Sequence, residues 1–299
     1  MPINRPILRY HGGKWILADW IIDNFPKHRV YIEPFGGAAS VLLQKQRSYC
    51  EVYNDLDGEV VNVFSVLRDT VSAARLREML ELTPFARTEF LGAYQLADDP
   101  VEAARRTIIK SFMGFGSAAI TSRGQVVTDE GLSFKAPTGF RANSKRSGTT
   151  PAHDWRSYPA GLPEYVERLR GVVIENRDAR AVIEAHDGLE TLIYADPPYC
   201  PSTRDSGSDY RFEMTDEQHR EPATTLHGVH GMVLLSGYPS RLYDEIYGDW
   251  EKIERRALGD GARERTEVLW FNPAATAGRK QPTLYDLERN SQCQQTSDF

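Results

Sequence analysis

The tetrad Asp196-Pro197-Pro198-Tyr199 directly follows the apolar run Thr191-Leu192-Ile193-Tyr194-Ala195, and it is the clearest chemical signal in the chain. An exocyclic amine on a nucleobase is a poor nucleophile, because its lone pair is delocalised into the ring. Accepting hydrogen bonds from both of its N–H groups favours a tetrahedral, more reactive nitrogen. The Asp196 carboxylate is one such acceptor. The carbonyl of Pro197, on a backbone that two prolines hold rigid, is a second. Tyr199 offers an aromatic face to a base taken out of its stack. The plain alternative is a tight Pro-Pro turn ending a strand.

Three further groups could meet a nucleoside ligand. Glu33-Pro34-Phe35-Gly36-Gly37-Ala38-Ala39-Ser40 joins an apolar run to a helical pattern. Glycines there let backbone approach a ligand, and a helix start favours an anion. Asp55 lies 22 positions after Glu33, at the end of the next apolar run, where an acid can accept from ribose hydroxyls. Its alternative role is to cap the helix over 58–68. Asp178, after Val172-Val173-Ile174, could accept from an adenine amine or simply cap the segment over 179–185. Tyr10-His11-Gly12-Gly13-Lys14 is a Gly-Gly turn presenting a lysine to an anionic group. It is too short for a Walker-type phosphate loop, and by itself it reads as a turn.

These residues need strands and helices to hold them. Near-continuous apolar runs at 30–32, 51–53, 172–174, 191–195, 232–235 and 267–271 predict a sheet buried on both faces. Helical spacing at 40–46, 60–68 and 162–169 alternates with them. The expectation is a doubly wound α/β sheet with ligands beyond the carboxyl ends of its strands. Between 68 and 159 the alternation stops. A helical part (73–111) leads into a Gly/Ser/Thr-rich stretch (114–150), which reads as an inserted module carrying a loop or hairpin. The expected division is 1–68 and 161–289 for the catalytic part, 69–160 for the insert, and a polar tail over 290–299.

The 299 residues are 40% hydrophobic and 26% charged, with a net charge of −6. This is the composition of a globular protein, without a stretch long enough to span a bilayer or an apolar signal run. Three scattered cysteines, Cys50, Cys200 and Cys293, argue against a disulfide framework and a clustered zinc site and fit a reducing cytoplasm. The charge is uneven. From 105 to 146 there are eight Lys/Arg against two acids. Such a segment is either a footprint for phosphates or a solvated surface. Arg123 and Arg141 are candidates for reading guanine edges, and Lys135, Lys145 and Arg146 for phosphate contact.

In this order, these stretches resemble the Dam-type, D12-class DNA adenine-N6 methyltransferases, and more closely their phage- and prophage-type members. The matching stretches are 8–14, 31–40, Asn54-Asp55, Asp178, 194–199, Leu235-Ser236-Gly237-Tyr238 and Glu264 through Trp270. The resemblance implies a Rossmann-like fold and S-adenosylmethionine as methyl donor to DNA. It places Tyr10, Lys14, Glu33, Phe35, Gly36, Gly37, Asp55 and Asp178 at cofactor positions, Asp196–Tyr199 at the catalytic motif, and the insert at the target-recognition domain. A bacterial or phage-infected cytoplasm would be its setting.

Two features depart from the family pattern. Many relatives carry Gly where this chain has Ala39. Pro222 interrupts the helical pattern over 215–226, so the helix either starts near Pro222 or is irregular. A sulfonium methyl is already activated, so neither a metal nor a covalent intermediate is needed; the protein supplies positioning and hydrogen bonds. The competing readings are an RNA base methyltransferase, a cytosine-N4 enzyme, and a non-catalytic DNA-binding protein retaining the fold.

Overall fold

The structure is a computed structural model that describes residues 3–116, 119–120, 125–128, 132–135, 138–142, 149–203, 211–258 and 264–279. In chain order the first elements are α1 (Ala18–Ile22), β1 (Val30–Glu33), α2 (Ser40–Gln44), β2 (Cys50–Asn54) and α3 (Gly58–Arg68). Next come α4 (Thr70–Leu82), α5 (Arg87–Gly92), α6 (Pro100–Met113), β3 (Gln125–Thr128), β4 (Leu132–Lys135) and α7 (Pro151–Ser157). The alternation then resumes with α8 (Leu162–Leu169), β5 (Val172–Glu175), α9 (Ala179–His186), β6 (Thr191–Ala195), α10 (Asp216–Gly228) and β7 (Met232–Gly237). Last are α11 (Arg241–Ile246), β8 (Glu251–Leu258), β9 (Glu264–Phe271) and α12 (Pro273–Arg279).

Seven strands form one sheet in the order β5-β2-β1-β6-β7-β9-β8. The first five are parallel, and β9 runs antiparallel to both β7 and β8. The apolar runs read from the sequence are these parallel strands and β9. Residues of β1, β6 and β7 are buried on both faces because helices cover both sides. This is the doubly wound, Rossmann-like sheet. Its strand order reverses between β1 and β6, which opens a crevice at their carboxyl ends.

Two apolar clusters fill the faces. One joins Tyr31, Tyr53 and Phe64 to Phe90, Phe112, Trp155 and Tyr158, so the helices of the insert pack into the same core as one face of the sheet. The other gathers Ile32, Val182, Ile193, Leu235 and Trp270 on the opposite face. The insert also contains the antiparallel β3–β4 hairpin.

Local chemistry explains three departures from the expectations. First, α3 is capped by Asp57, whose carboxylate accepts from Glu59 N at 3.0 Å. Asp55 is therefore not the cap. Second, α10 runs straight through Pro222. A capping box between Thr215 and Gln218 starts it six residues earlier, and the proline ring is buried. Third, β8 was not foreseen. Its sequence, Glu251-Lys252-Ile253-Glu254-Arg255-Arg256, is that of a charged, solvent-facing edge strand and carries no apolar signal.

Candidate active site

The crevice holds a cavity of about 330 Å³, within the range of small-molecule sites. Tyr10, Lys14, Glu33, Phe35, Gly36, Gly37, Asp55 and Asp178 all line it, as do Asp196 and Pro198. Pro197 and Tyr199 stand outside its lining.

The glycine turn is built by packing. Gly36 N donates to Asn54 O at 2.7 Å, and a Cβ on Gly36 would lie 2.1 Å from the Tyr53 ring. The glycine is thus demanded by its protein neighbours. Gly37 has φ +47° and receives a hydrogen bond from the Tyr53 hydroxyl on its carbonyl. Ala39 also has a left-handed φ, 52°, at the start of α2. A side chain there costs about 1–2 kcal/mol.

Asp55 ties this turn to the second strand. Its Oδ2 accepts from Gly37 N and its Oδ1 from Asp57 N, both at 2.7 Å. Burial pushes its carboxyl up to about 6 against the pull of those amides. Asn54 staples the neighbouring loops through Pro34 O, Arg177 O and Arg177 N. Asp178 caps α9 by accepting from Arg180 N and pairs with the Arg180 guanidinium, so the capping role is present alongside its place on the cavity wall.

Glu33 is 2% exposed. Its Oε1 accepts from the Tyr31 hydroxyl at 2.9 Å and from Leu42 N at 3.0 Å, while Oε2 has no partner among the described residues. Burial raises its carboxyl to about 8. A buried carboxylate oxygen without a donor is a costly arrangement unless a ligand supplies one. The Glu33 and Asp55 acids and the glycine turn fit a ligand carrying an ammonium and hydroxyl groups. S-adenosylmethionine has both.

Asp196 projects from the carboxyl end of β6. Ser236 Oγ, at the end of β7, donates to its Oδ1 at 2.7 Å, and Lys14 Nζ lies 2.9 Å from the same oxygen. Tyr194 completes the chain by donating to Ser236 Oγ at 3.0 Å. Burial raises the Asp196 carboxyl, opposed by Lys14 and Ser236. Lys14 also donates to Gly12 O, lies 3.5 Å from Glu267 Oε1, and sits 4.5 Å over the Tyr199 ring. Its ammonium therefore ends on the Asp196 carboxylate, where the sequence placed it among cofactor positions. Tyr199 is buried, donates its hydroxyl to Glu267 Oε1, and meets Tyr238 edge-on at 4.3 Å.

Ser236 and Glu267 fell inside stretches that carry the family resemblance, but nothing in the residue pattern gave them a role. The only trace was a polar residue ending one apolar strand and an acid interrupting another. Arg211, which lines the cavity, pairs with Asp57 and Glu59 and donates to Ile120 O. It thereby joins the segment after the catalytic tetrad to the cap of α3 and to the insert.

The basic excess of the insert is smaller in space than in sequence. Arg105 pairs with Glu102 and Glu89, Arg106 with Glu102, and Lys110 with Glu59. Arg141 is half-buried and donates to Phe112 O, while its backbone N–H bonds Met113 O. Its guanidinium thus serves the end of α6. Lys135 has its backbone in β4, and Arg123, Lys145 and Arg146 lie outside the described residues.

Comparison with known proteins agrees with this geometry. A DNA adenine methylase of Escherichia coli (strain K12) is 25% identical over 261 residues, covering 83% of this chain and 85% of that protein. One from Haemophilus influenzae is 26% identical over 278 residues, covering 89% and 91%. The type II methyltransferase M.MjaIII of Methanocaldococcus jannaschii is 26% identical over 240 residues, covering 71% and 76%. The sequence model of one family, D12 class N6 adenine-specific DNA methyltransferase, matches residues 10–258, a span that takes in the glycine turn, Asp55 and the Asp196 tetrad. The chain belongs to that family.

Proposed function

We propose that this DNA adenine methyltransferase acts on a flipped-out adenine and that Asp196 is the acceptor for its N6 amine. The observation that carries the reading is the asymmetry of the Asp196 carboxylate. Among the described residues, Ser236 and Lys14 both meet Oδ1, so Oδ2 can accept from the target N–H at the cavity wall. The Pro197 carbonyl is the second acceptor, held by the rigid Pro-Pro backbone.

S-adenosylmethionine, when bound, supplies a sulfonium-activated methyl group. On this chain Glu33 would accept from its ammonium, Asp55 from its ribose hydroxyls and Asp178 from its adenine amine, while the turn over 33–40 shapes the floor. With the donor bound, Asp196 and the Pro197 carbonyl would hold the N6 amine for attack on the methyl carbon, whose bond to sulfur would break with the pair left on sulfur. The nitrogen is then positive until its proton leaves to Asp196 or to water. Asp196 strengthens its hydrogen bond as that charge grows, which is where a preorganised acceptor contributes most. Tyr199 supports the base, and a base reaching its ring has to move Tyr238. Arg123, Lys135, Arg141, Lys145 and Arg146 are the proposed DNA contacts of the insert, Arg141 only if its guanidinium leaves Phe112 O. No described helix is long and apolar enough to cross a membrane, and the cytoplasm is the proposed location.

The test is transfer of labelled methyl to duplex DNA, single-stranded DNA and RNA in parallel, with Asp196→Ala alongside. Duplex DNA should be labelled at adenine N6. The variant should lose transfer while its affinity for the donor stays within a few-fold. Activity within tenfold of wild type in Asp196→Ala would overturn the assignment of that residue, and preferred labelling of RNA would overturn the substrate.

A further inference from the structure

Glu267 lies on β9, beyond the matched family span, yet its carboxylate sits at the heart of the catalytic cluster. It is 3% exposed, accepts from the Tyr199 hydroxyl, and lies 3.5 Å from the Lys14 ammonium. The same ammonium is 2.9 Å from Asp196. One lysine is therefore shared by the buried Glu267 and the partly exposed Asp196, which come from different strands.

The sharing has a chemical consequence. Methyl transfer leaves a positive charge on N6 before its proton departs. An acceptor whose charge is cancelled by an adjacent ammonium stabilises that cation poorly, and in a desolvated site the repulsion from the ammonium is weakly screened. A second carboxylate beside the ammonium restores one net negative charge to the trio. Burial raises both carboxyls and the shared ammonium lowers them, while the two acids hold Lys14 above its ordinary value in spite of burial.

We propose that Glu267 is a positioning residue for methyl transfer, which compensates Lys14 so that Asp196 can serve the cationic amine. This rests on the assignment of Asp196 above. Glu267 acts through Lys14 and touches neither base nor donor. The β9 strand places it there: Val268 pairs with Gly237, which fixes Glu267 beside the carboxyl end of β7 and the Ser236–Asp196 bond.

The experiment uses the full chain with Glu267→Gln, Asp196→Ala and the double variant Lys14→Gln/Glu267→Gln. Glutamine keeps an oxygen acceptor for Tyr199 and removes only the charge. The expected result is a fall in kcat of tenfold or more for Glu267→Gln, with KM for DNA and donor Kd within about threefold. The double variant, which removes the opposed charges together, should turn over faster than Glu267→Gln alone. A kcat within threefold of wild type, an effect confined to KM, or a double variant slower than the single one overturns the proposal. If the glutamine variant is too unstable to assay, Glu267→Asp keeps the charge and should hold kcat within about tenfold; a fall as complete as that of Asp196→Ala overturns it. An active Asp196→Ala would sink the site assignment itself. An inactive Asp196→Ala beside an unaffected Glu267→Gln sinks this inference alone.

Discussion

Glu33 shows how one buried side chain can couple the fold to pH. Its carboxyl stands at about 8 in the fold against an ordinary 4.5, because burial outweighs its bonds from Tyr31 and Leu42. The folded chain then holds a proton that the unfolded chain releases, so stability falls as pH rises from about 4.5 towards 8. Asp55, raised to about 6, adds a slope of the same sign at lower pH. Melting temperatures of the donor-free protein should therefore decline across this window, and Glu33→Gln should flatten the decline. An unchanged slope in that variant would mean that Glu33 is already ionised in the fold. At this scale the sequence drew attention to Asp196, Glu33 and Asp178 by residue type and loop position, and all three line one cavity. It was silent on Ser236 and Glu267, whose roles arise from strand register across the sheet.

The turn between β1 and α2 belongs to the scale of elements. Gly36 backs directly onto Tyr53 and Asn54, with room for no more than hydrogen. Gly36→Ala must push the Tyr53 ring or separate the two strand ends. Thermal or urea unfolding should show a destabilisation of about 1–3 kcal/mol, as for other overpacked sites. Donor affinity should fall with it, because the same shift moves Gly37 and its bond to Asp55. Unaltered stability would show that Tyr53 has another place to go. The parallel strands were readable because burial on both faces makes them continuous apolar runs. The edge strand β8 was not, since solvent on its faces lets it be charged. The course of α10 was misjudged because a proline penalty is local, whereas the capping box and the buried ring act at other points of the helix.

Across the whole molecule, charge decides where DNA can lie. The chain is acidic overall, with a net charge of −6, and Arg105, Arg106 and Lys110 of the insert are already paired with Glu59, Glu89 and Glu102. The hairpin and the stretch after it are therefore the proposed place for phosphates. Neutralising Lys135, Lys145 or Arg146 to Ala should weaken binding to all sequences alike. Each phosphate that is no longer neutralised should lower the salt slope by about one. Binding titrations over a range of salt would measure this. An unchanged slope in the triple variant would place the DNA-binding surface elsewhere. The break in the strand–helix alternation between 68 and 159 was visible in the sequence, but the electrostatics of that stretch were not, because sequence counts charges without showing which are answered by a neighbour.

The ion pair between Lys14 and Glu267 joins a residue ahead of the first strand to one in the last. Neither half of the chain can assemble that pair by itself. Methyl transfer then works as a readout of complete closure of the polypeptide. In a refolding experiment, full activity should therefore return only once β9 has docked against β7. Before that docking, Lys14 would stand beside Asp196 without its second carboxylate, and turnover should be slow.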